Sequence, residues 1–358
     1  MTKVKEAFKK MDYEEALESN KETLEWINKH EGQFGHFIGG KFTKPKNLFK
    51  TINPFNKKEI AEISQGTLAD IKNSVEAARS GLKKWQSLKP FQRSKYLYAI
   101  ARYIQKESRT ISVLESMENG KSIRESRDID IPLAARHFYY HAGWAQLIDE
   151  EFENYSSIGI CGQIIPWNFP ILMLAWKVAP AIAAGNSVIL KPAEQTSMTA
   201  LRVAELAAEA GLPRGVLQVL PGDGPSVGEP IGLHPDIDMV SFTGSTETGR
   251  CFLRYAADSN LKKVVLECGG KNPAVVLEDA ENLDHVAENL VNAAFWNMGE
   301  NCSANSRLIV HKDVKAPLME RILTRVRDWK TGDPLDPSNS LGALIDTEHC
   351  SKVESFLT

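Results

Sequence analysis

Two residues with complementary chemistry stand thirty-five positions apart in this 358-residue chain, Glu267 and Cys302. Glu267 lies in Val264-Val265-Leu266-Glu267-Cys268-Gly269-Gly270-Lys271, and Cys302 closes Phe295-Trp296-Asn297-Met298-Gly299-Glu300-Asn301-Cys302. A thiolate adds to a carbonyl carbon far better than a hydroxyl does, and a carboxylate near a thioester can deprotonate the water that hydrolyses it. The pair therefore points to acyl chemistry through a cysteine. Each half is weak alone, because a cysteine is usually a small buried hydrophobe. Its neighbours strengthen the case: Gly299, Glu300, Asn301 and Ser303 are small or polar and follow an apolar, helix-like run over 286–296, which suits a turn that exposes the sulfur.

Other segments carry groups suited to a nucleotide. Phe242-Thr243-Gly244-Ser245-Thr246-Glu247-Thr248-Gly249 puts small residues at a strand-to-helix turn, where N–H groups and the helix dipole favour an anion. An ordinary glycine turn has the same look when met alone. Gly222-Asp223-Gly224 with Gly228 is a second glycine turn, off the spacing of a dinucleotide fingerprint but placed where adenine contact is plausible. Lys191-Pro192-Ala193-Glu194 follows an extended run, so both charges can sit at a sheet's carboxyl edge, where a ribose would lie; a surface ion pair is the plainer reading. Asn168, between Trp167 and Phe169-Pro170, could aim an amide N–H at a developing oxyanion or simply satisfy a turn.

With Ile165-Pro166-Trp167-Asn168-Phe169-Pro170, these segments resemble the aldehyde dehydrogenase superfamily, whose motifs they match in order from about Phe37-Ile38-Gly39-Gly40 to the last residue. Within it, the stretch that begins Tyr139-Tyr140-His141-Ala142-Gly143-Trp144 and reaches Tyr155, with Phe34-Gly35-His36-Phe37, resembles family sixteen, a branch with two tandem modules. The resemblance implies oxidation of an aldehyde to the carboxylic acid with NAD. Cys302 would attack and form a thiohemiacetal, Glu267 would activate water against the resulting thioester, and Asn168 with the Cys302 N–H would form the oxyanion hole. Implied cofactor contacts are Ile164, Trp167, Lys191, Glu194, Gly224, Gly244, Ser245, Thr246, Glu247, Thr248 and Gly249. Glu194 would accept from a ribose 2′-hydroxyl and repel a 2′-phosphate, favouring NAD over NADP. Lys177 would tune nearby charge. Phe169, Met173, Trp176, Phe295 and Trp296 are candidates for an apolar substrate tunnel or for core. A small-molecule aldehyde is the implied partner, and a homo-oligomer, a dimer, the implied full-length assembly. Two other readings stay open: a non-catalytic dinucleotide-binding module or inactive fragment, and a thiol hydrolase using the same nucleophile and base on esters.

Thr67 and Asp70 precede Ile71, Val75, Ala78, Leu82 and Trp85, a capping signature followed by one apolar helical face. Further helices are expected over about 93–107 and around 134–144. From residue 158 the pattern alternates: extended 187–190, helical 197–210, extended 216–220 and 239–242, a helix from about 245, extended 263–266 and 273–277, then a helix over 283–296. Such alternation predicts an α/β fold, a parallel sheet covered by helices as a Rossmann-like dinucleotide-binding layer; the resemblance implies that this layer binds NAD and is followed by an incomplete α/β catalytic domain. The expected division is a helical, peripheral leader over 1–36, an NAD-binding domain over 37–268 with a short oligomerisation excursion near 145–158, and the N-terminal part of the catalytic domain over 269–358. The chain ends within an amphipathic pattern capped by Asp346, with Cys350, Val353, Phe356 and Leu357 on one face. Family members continue through a Glu-x-Phe-Gly-Pro-type segment and an oligomerisation arm, so a truncated catalytic domain is expected.

Composition restricts the alternatives. A net charge of −3 offers no bulk attraction for nucleic acid or an anionic membrane, and the basic clusters over 3–10 and 41–50 read as solvated surface. No stretch approaches the ~18 apolar residues of a membrane span, and the first ten residues lack the apolar core of a secretory signal. Five cysteines, Cys161, Cys251, Cys268, Cys302 and Cys350, are widely spaced without paired metal-type motifs, which argues against zinc and disulfides and for the cytoplasm.

Overall fold

The computed structural model describes residues 17–357; the basic cluster over 3–10 and the first part of the expected leader lie outside the described residues. Helix α1 (Lys21–Lys29) leads into short strands β1 (Gln33–Phe34), β2 (Phe37–Ile38) and β3 (Lys41–Phe42), then the antiparallel pair β4 (Leu48–Ile52) and β5 (Glu59–Ser64). This segment is not peripheral. Trp26, Ile27 and Phe34 are buried in the main core, and Trp26 Nε1 donates to Glu205 Oε2 at 2.8 Å.

Helices α2 (Leu68–Gln86), α3 (Pro90–Lys106), α4 (Ser108–Asn119) and α5 (Ile131–Glu151) follow. Thr67 and Asp70 form the expected capping box: Thr67 Oγ1 accepts from the Asp70 N–H at 3.4 Å, and Asp70 Oδ2 accepts from the Thr67 N–H at 3.1 Å. Helix α5 is longer than its expected core, running through most of the first half of the 145–158 stretch, and no strand forms before the next sheet element.

The alternating part then unfolds as β6 (Ile160–Ile164), α6 (Pro170–Ala183), β7 (Ser187–Lys191), α7 (Met198–Glu209), β8 (Leu217–Val219), β9 (Met239–Gly244), α8 (Thr246–Ala257) and β10 (Lys263–Cys268). Sheet order is β10-β9-β6-β7-β8-β2-β3, parallel from β10 to β8 with an antiparallel β2–β3 edge. Every residue of β6 and β7 is buried, as strands covered on both faces require. Val188 and Leu190 face the larger core, built with α6 and α7, while Ile189 between them faces a second core with Ile71, Val75 and Phe252.

Beyond β10 come β11 (Pro273–Val276), α9 (Leu283–Phe295), β12 (Arg307–Val310), α10 (Lys312–Arg327) and α11 (Thr347–Glu354). β11 and β12 pair in parallel, and Val276, Ala287 and Leu318 bury a small core beneath them. Asp346 caps α11 as expected, accepting from the His349 N–H at 2.7 Å. The expected apolar face does not form, because the helix stops at Glu354 and Phe356 and Leu357 are exposed beyond it. Among the described residues no helix is long and apolar enough to cross a membrane.

One glycine measures how tightly α2 packs on the sheet. A Cβ on Gly81 would lie 2.2 Å from the Gly215 carbonyl carbon, backbone against backbone, with no flexible side chain to yield. Gly81→Ala is therefore expected to destabilise the protein by about 1–3 kcal/mol, read as a lowered thermal midpoint. An unchanged midpoint would show that this approach is not tight.

Candidate active site at the sheet reversal

After β6 the chain moves through β7 to β8; after β9 it moves the other way, to β10. Adjacent parallel strands that lead off in opposite directions leave a crevice at their carboxyl ends, where ligands of open α/β sheets bind. A cleft of about 1040 Å³ opens there. Its walls are residues 166–169 after β6, 243–246 at the end of β9, 268–271 after β10 and 299–302, with Asp346, His349 and Lys352 on the rim.

Cys302 and Asn168 both line this cleft, and Cys302 is exposed, as its small neighbours led us to expect. The Glu300 side chain, by contrast, is 1% exposed, held inside the turn. Two asparagines stitch the loops together. Asn297 Nδ2 donates to the Asn168 carbonyl at 2.9 Å, and Asn168 Nδ2 donates to the Glu300 carbonyl at 2.7 Å. The turn itself is strained: Asn297, Met298 and Gly299 have φ of 55°, 57° and 76°, and only the glycine adopts this region freely. Glu125 holds the strained start, its Oε1 accepting from the Asn297 N–H at 2.9 Å. The Asn168 loop is braced from α4, where Asn119 Nδ2 donates to the Trp167 carbonyl at 2.7 Å and Glu115 Oε2 accepts from the Ile171 N–H at 3.1 Å.

Glu267 ends β10 beside Cys268, and its side chain is exposed; it is not among the residues that wall the cleft. Its charge nevertheless reaches Lys177. Burial pulls the Lys177 ammonium down to about 8 against the opposing pull of Glu267, and Nζ donates to Ser241 Oγ on β9 at 2.8 Å.

Of the expected nucleotide contacts, Trp167, Gly244, Ser245 and Thr246 wall the cleft. Glu247, Thr248 and Gly249 form the first turn of α8, capped by Ser245 Oγ, which accepts from the Thr248 N–H at 3.1 Å. A helix start of this kind favours an anion. Ile164, Lys191, Glu194 and Gly224 stand outside the cleft lining. Lys191 is buried, donates to the Pro192 carbonyl at 3.0 Å and lies 3.6 Å from Glu194 Oε2; burial lowers its pKa. Gly224 has open space where a Cβ would sit, so packing alone does not demand a glycine there. Thr243 Oγ1, buried without a partner in the cleft wall, adds a polar group awaiting a ligand. These features fit a dinucleotide.

Among the apolar tunnel candidates, Phe169 and Met173 reach the cleft. Trp296 packs on Phe169 with centroids 5.2 Å apart. Trp176 and Phe295 stand half-exposed beside His137 and Trp329.

A buried acidic group beneath the two loops escaped sequence reasoning. Glu115, Glu118, Glu125, Asp130 and Glu300 are all buried, with Lys121 as the cation among them. Lys121 Nζ lies 2.6 Å from Asp130 Oδ2, 3.8 Å from Glu115 Oε1 and 4.3 Å from the centre of the Phe169 ring. Burial raises all five carboxyls, Glu118 and Glu125 to about 7 and Glu300 to about 8. Glu118 also caps α7, accepting from the Met198 and Thr199 N–H groups at 2.8 and 2.9 Å.

The fold and cleft define a dinucleotide-binding α/β protein with an exposed thiol at the binding crevice. The aldehyde dehydrogenase family model matches residues 42–358, and the chain belongs to that family. It is 48% identical over 342 residues to an aminoacetaldehyde dehydrogenase of Pseudomonas aeruginosa, covering 91% of this chain and 67% of that protein. Aldehyde dehydrogenase family 2 member B4, mitochondrial, of Arabidopsis thaliana is 40% identical, covering 90% of this chain and 62% of the relative. The NAD+ complex of an aldehyde dehydrogenase from Bacillus cereus superposes with a TM-score of 0.90 at 33% identity, over 95% of this chain and 71% of that one. The chain thus spans about two thirds of the length of the curated relatives it matches.

The raised carboxyl of Glu125 makes stability pH-dependent. Its folded pKa of about 7 exceeds the ordinary 4.5, so the folded state holds the proton more tightly. The stability this gives is complete below 4.5 and is lost as pH rises through about 7. Glu125→Gln keeps an acceptor for the Asn297 N–H and removes the titration. The thermal midpoint of the variant relative to the parent is expected to rise between pH 5 and 8; a constant difference would contradict this.

Proposed function

We propose that this chain carries the site of an NAD-dependent aldehyde dehydrogenase, oxidising an aldehyde to the carboxylic acid. The observation that carries the reading is the joining of Cys302 and Asn168 in one cleft, beside the start of α8, by crossed asparagine hydrogen bonds. The Cys302 sulfur adds to the aldehyde carbon, forming a thiohemiacetal. The second Asn168 amide hydrogen and the Cys302 N–H stabilise the oxyanion. Bound NAD supplies the hydride acceptor that converts this carbon to an acyl group. The α8 N-terminus would receive the pyrophosphate, and Lys191 and Glu194 would hold the ribose, Glu194 favouring NAD by repelling a 2′-phosphate. Ile164, Trp167 and Gly224 complete the nucleotide contacts.

Glu267 removes a proton from the water that hydrolyses the thioester. Its carboxylate is exposed near the end of β10 and makes no hydrogen bond to another described residue, so that it would be free to turn toward the crevice. The charge of Glu267 acts on Lys177, holding its ammonium up against the pull of burial. Aminoaldehydes are the first substrates to try, given the named activity of the Pseudomonas relative. Family likeness supports a homodimer, and five free cysteines fit a reducing compartment such as the cytoplasm.

NADH formation tests this reading. Cys302→Ala abolishes it, and Asn168→Ala lowers kcat by about 100- to 1000-fold, the usual cost of one oxyanion donor. NADP used as efficiently as NAD, or a fully active Cys302→Ala chain, would overturn the assignment.

A further inference from the structure

Glu300 ties the two loops of the cleft to its rim. Its carbonyl accepts from Asn168 Nδ2 at 2.7 Å and Asn297 Nδ2 at 3.1 Å. Its buried side chain points elsewhere: Oε1 accepts from the Ile345 N–H at 3.2 Å and lies 3.5 Å from His349 Nε2. The turn it grips leads into α11, where Asp346 caps the helix and also accepts from Gln195 Nε2 at 3.2 Å. His349 in turn meets the Trp167 ring edge-on, with centroids 4.9 Å apart. One residue therefore fixes the oxyanion loop by its main chain and the cleft rim by its side chain, two positions before Cys302.

We propose that Glu300 is a positioning residue for this site, its carboxyl anchoring the 345–349 turn so that the Asn168 amide and the Cys302 loop keep a single geometry. The proposal rests on the dehydrogenase reading for its catalytic consequence, but not for its structural one. Hydrogen-bond reach, not charge, is what the role needs. Oε2 is buried without a partner, and the facing His349 is itself held neutral by burial, so no ion pair sustains the contact. Glu125, Lys121 and Asp346 are the other charged groups that act on Glu300, none within a hydrogen bond of its carboxyl.

Two mild substitutions separate reach from charge. Glu300→Gln keeps the length and an acceptor but no charge. Glu300→Asp keeps an ionisable carboxyl and withdraws the acceptor by about 1.5 Å, beyond hydrogen-bonding range of Ile345. Alkylation of Cys302 by iodoacetamide, resolved by mass spectrometry from the other cysteines of the full chain, reports the loop without any turnover. NADH formation then reports catalysis. For Gln we expect an alkylation rate within about twofold of the parent and nearly full kcat. For Asp we expect an alkylation rate altered by about threefold or more, and kcat lowered by about tenfold or more at little change in the aldehyde KM, the pattern of a misplaced group. Asp behaving like the parent, or Gln as impaired as Asp, would overturn the proposal. A parent chain that makes no NADH would count against the dehydrogenase reading, while the alkylation rates would still decide the role of Glu300.

Discussion

Strands β6 and β9 lie side by side and parallel, yet their chains leave in opposite directions, and the gap between them is the constraint on which the site depends. Right-handed crossovers carry α6 and α8 to opposite faces of the sheet. The two helices start at the same edge, so their leading loops, 165–169 and 243–246, become the facing walls of one cleft. Burial of β6 and β7 on both faces makes that edge rigid: alternate side chains of β7 fill two different cores, so a shift of register would disrupt the packing of both. A rigid edge is what the proposed hydride transfer would need, because the reacting atoms would come from separate loops and must meet without reorganisation.

The loop that carries Cys302, the proposed nucleophile, gains its shape differently. Three consecutive residues in the left-handed region, two of them not glycine, persist only where surrounding contacts hold them. Here the contacts are polar and buried: Glu125 on the Asn297 N–H, the crossed amides of Asn297 and Asn168, and Glu300 on Ile345. Buried carboxyls of this kind favour their neutral forms, and Lys121 compensates the charge that remains. Such a layer adds little stability per bond, but each bond has a direction. Its value is in fixing where Cys302 and Asn168 stand.

Much of this was legible in the chain. Strand-helix alternation from residue 158, the Thr67–Asp70 cap and the exposed thiol all follow from local chemistry, and local chemistry dictates them. The acidic layer was not legible. Glu115, Glu118, Lys121 and Glu125 recur at three- and four-residue intervals, the same spacing that marks a solvated helix face. Only tertiary packing, with α4 tucked beneath the Asn168 loop, turns that face inward. The burial of Trp26 in the expected peripheral leader, and of Glu300, was not legible for the same reason, since a charged neighbourhood in sequence says nothing about what folds over it. At the other end, Phe356 and Leu357 continued an apolar pattern that the helix did not follow past Glu354.

The division of labour between Cys302 and Glu267 is best tested by stopping the cycle between them. A Glu267→Gln chain, given NAD and an aldehyde and analysed by intact and peptide mass spectrometry, should accumulate the acyl group as a thioester on Cys302, because attack proceeds and hydrolysis does not. A chain that binds NAD yet shows no acyl mass on Cys302 would contradict the proposed chemistry.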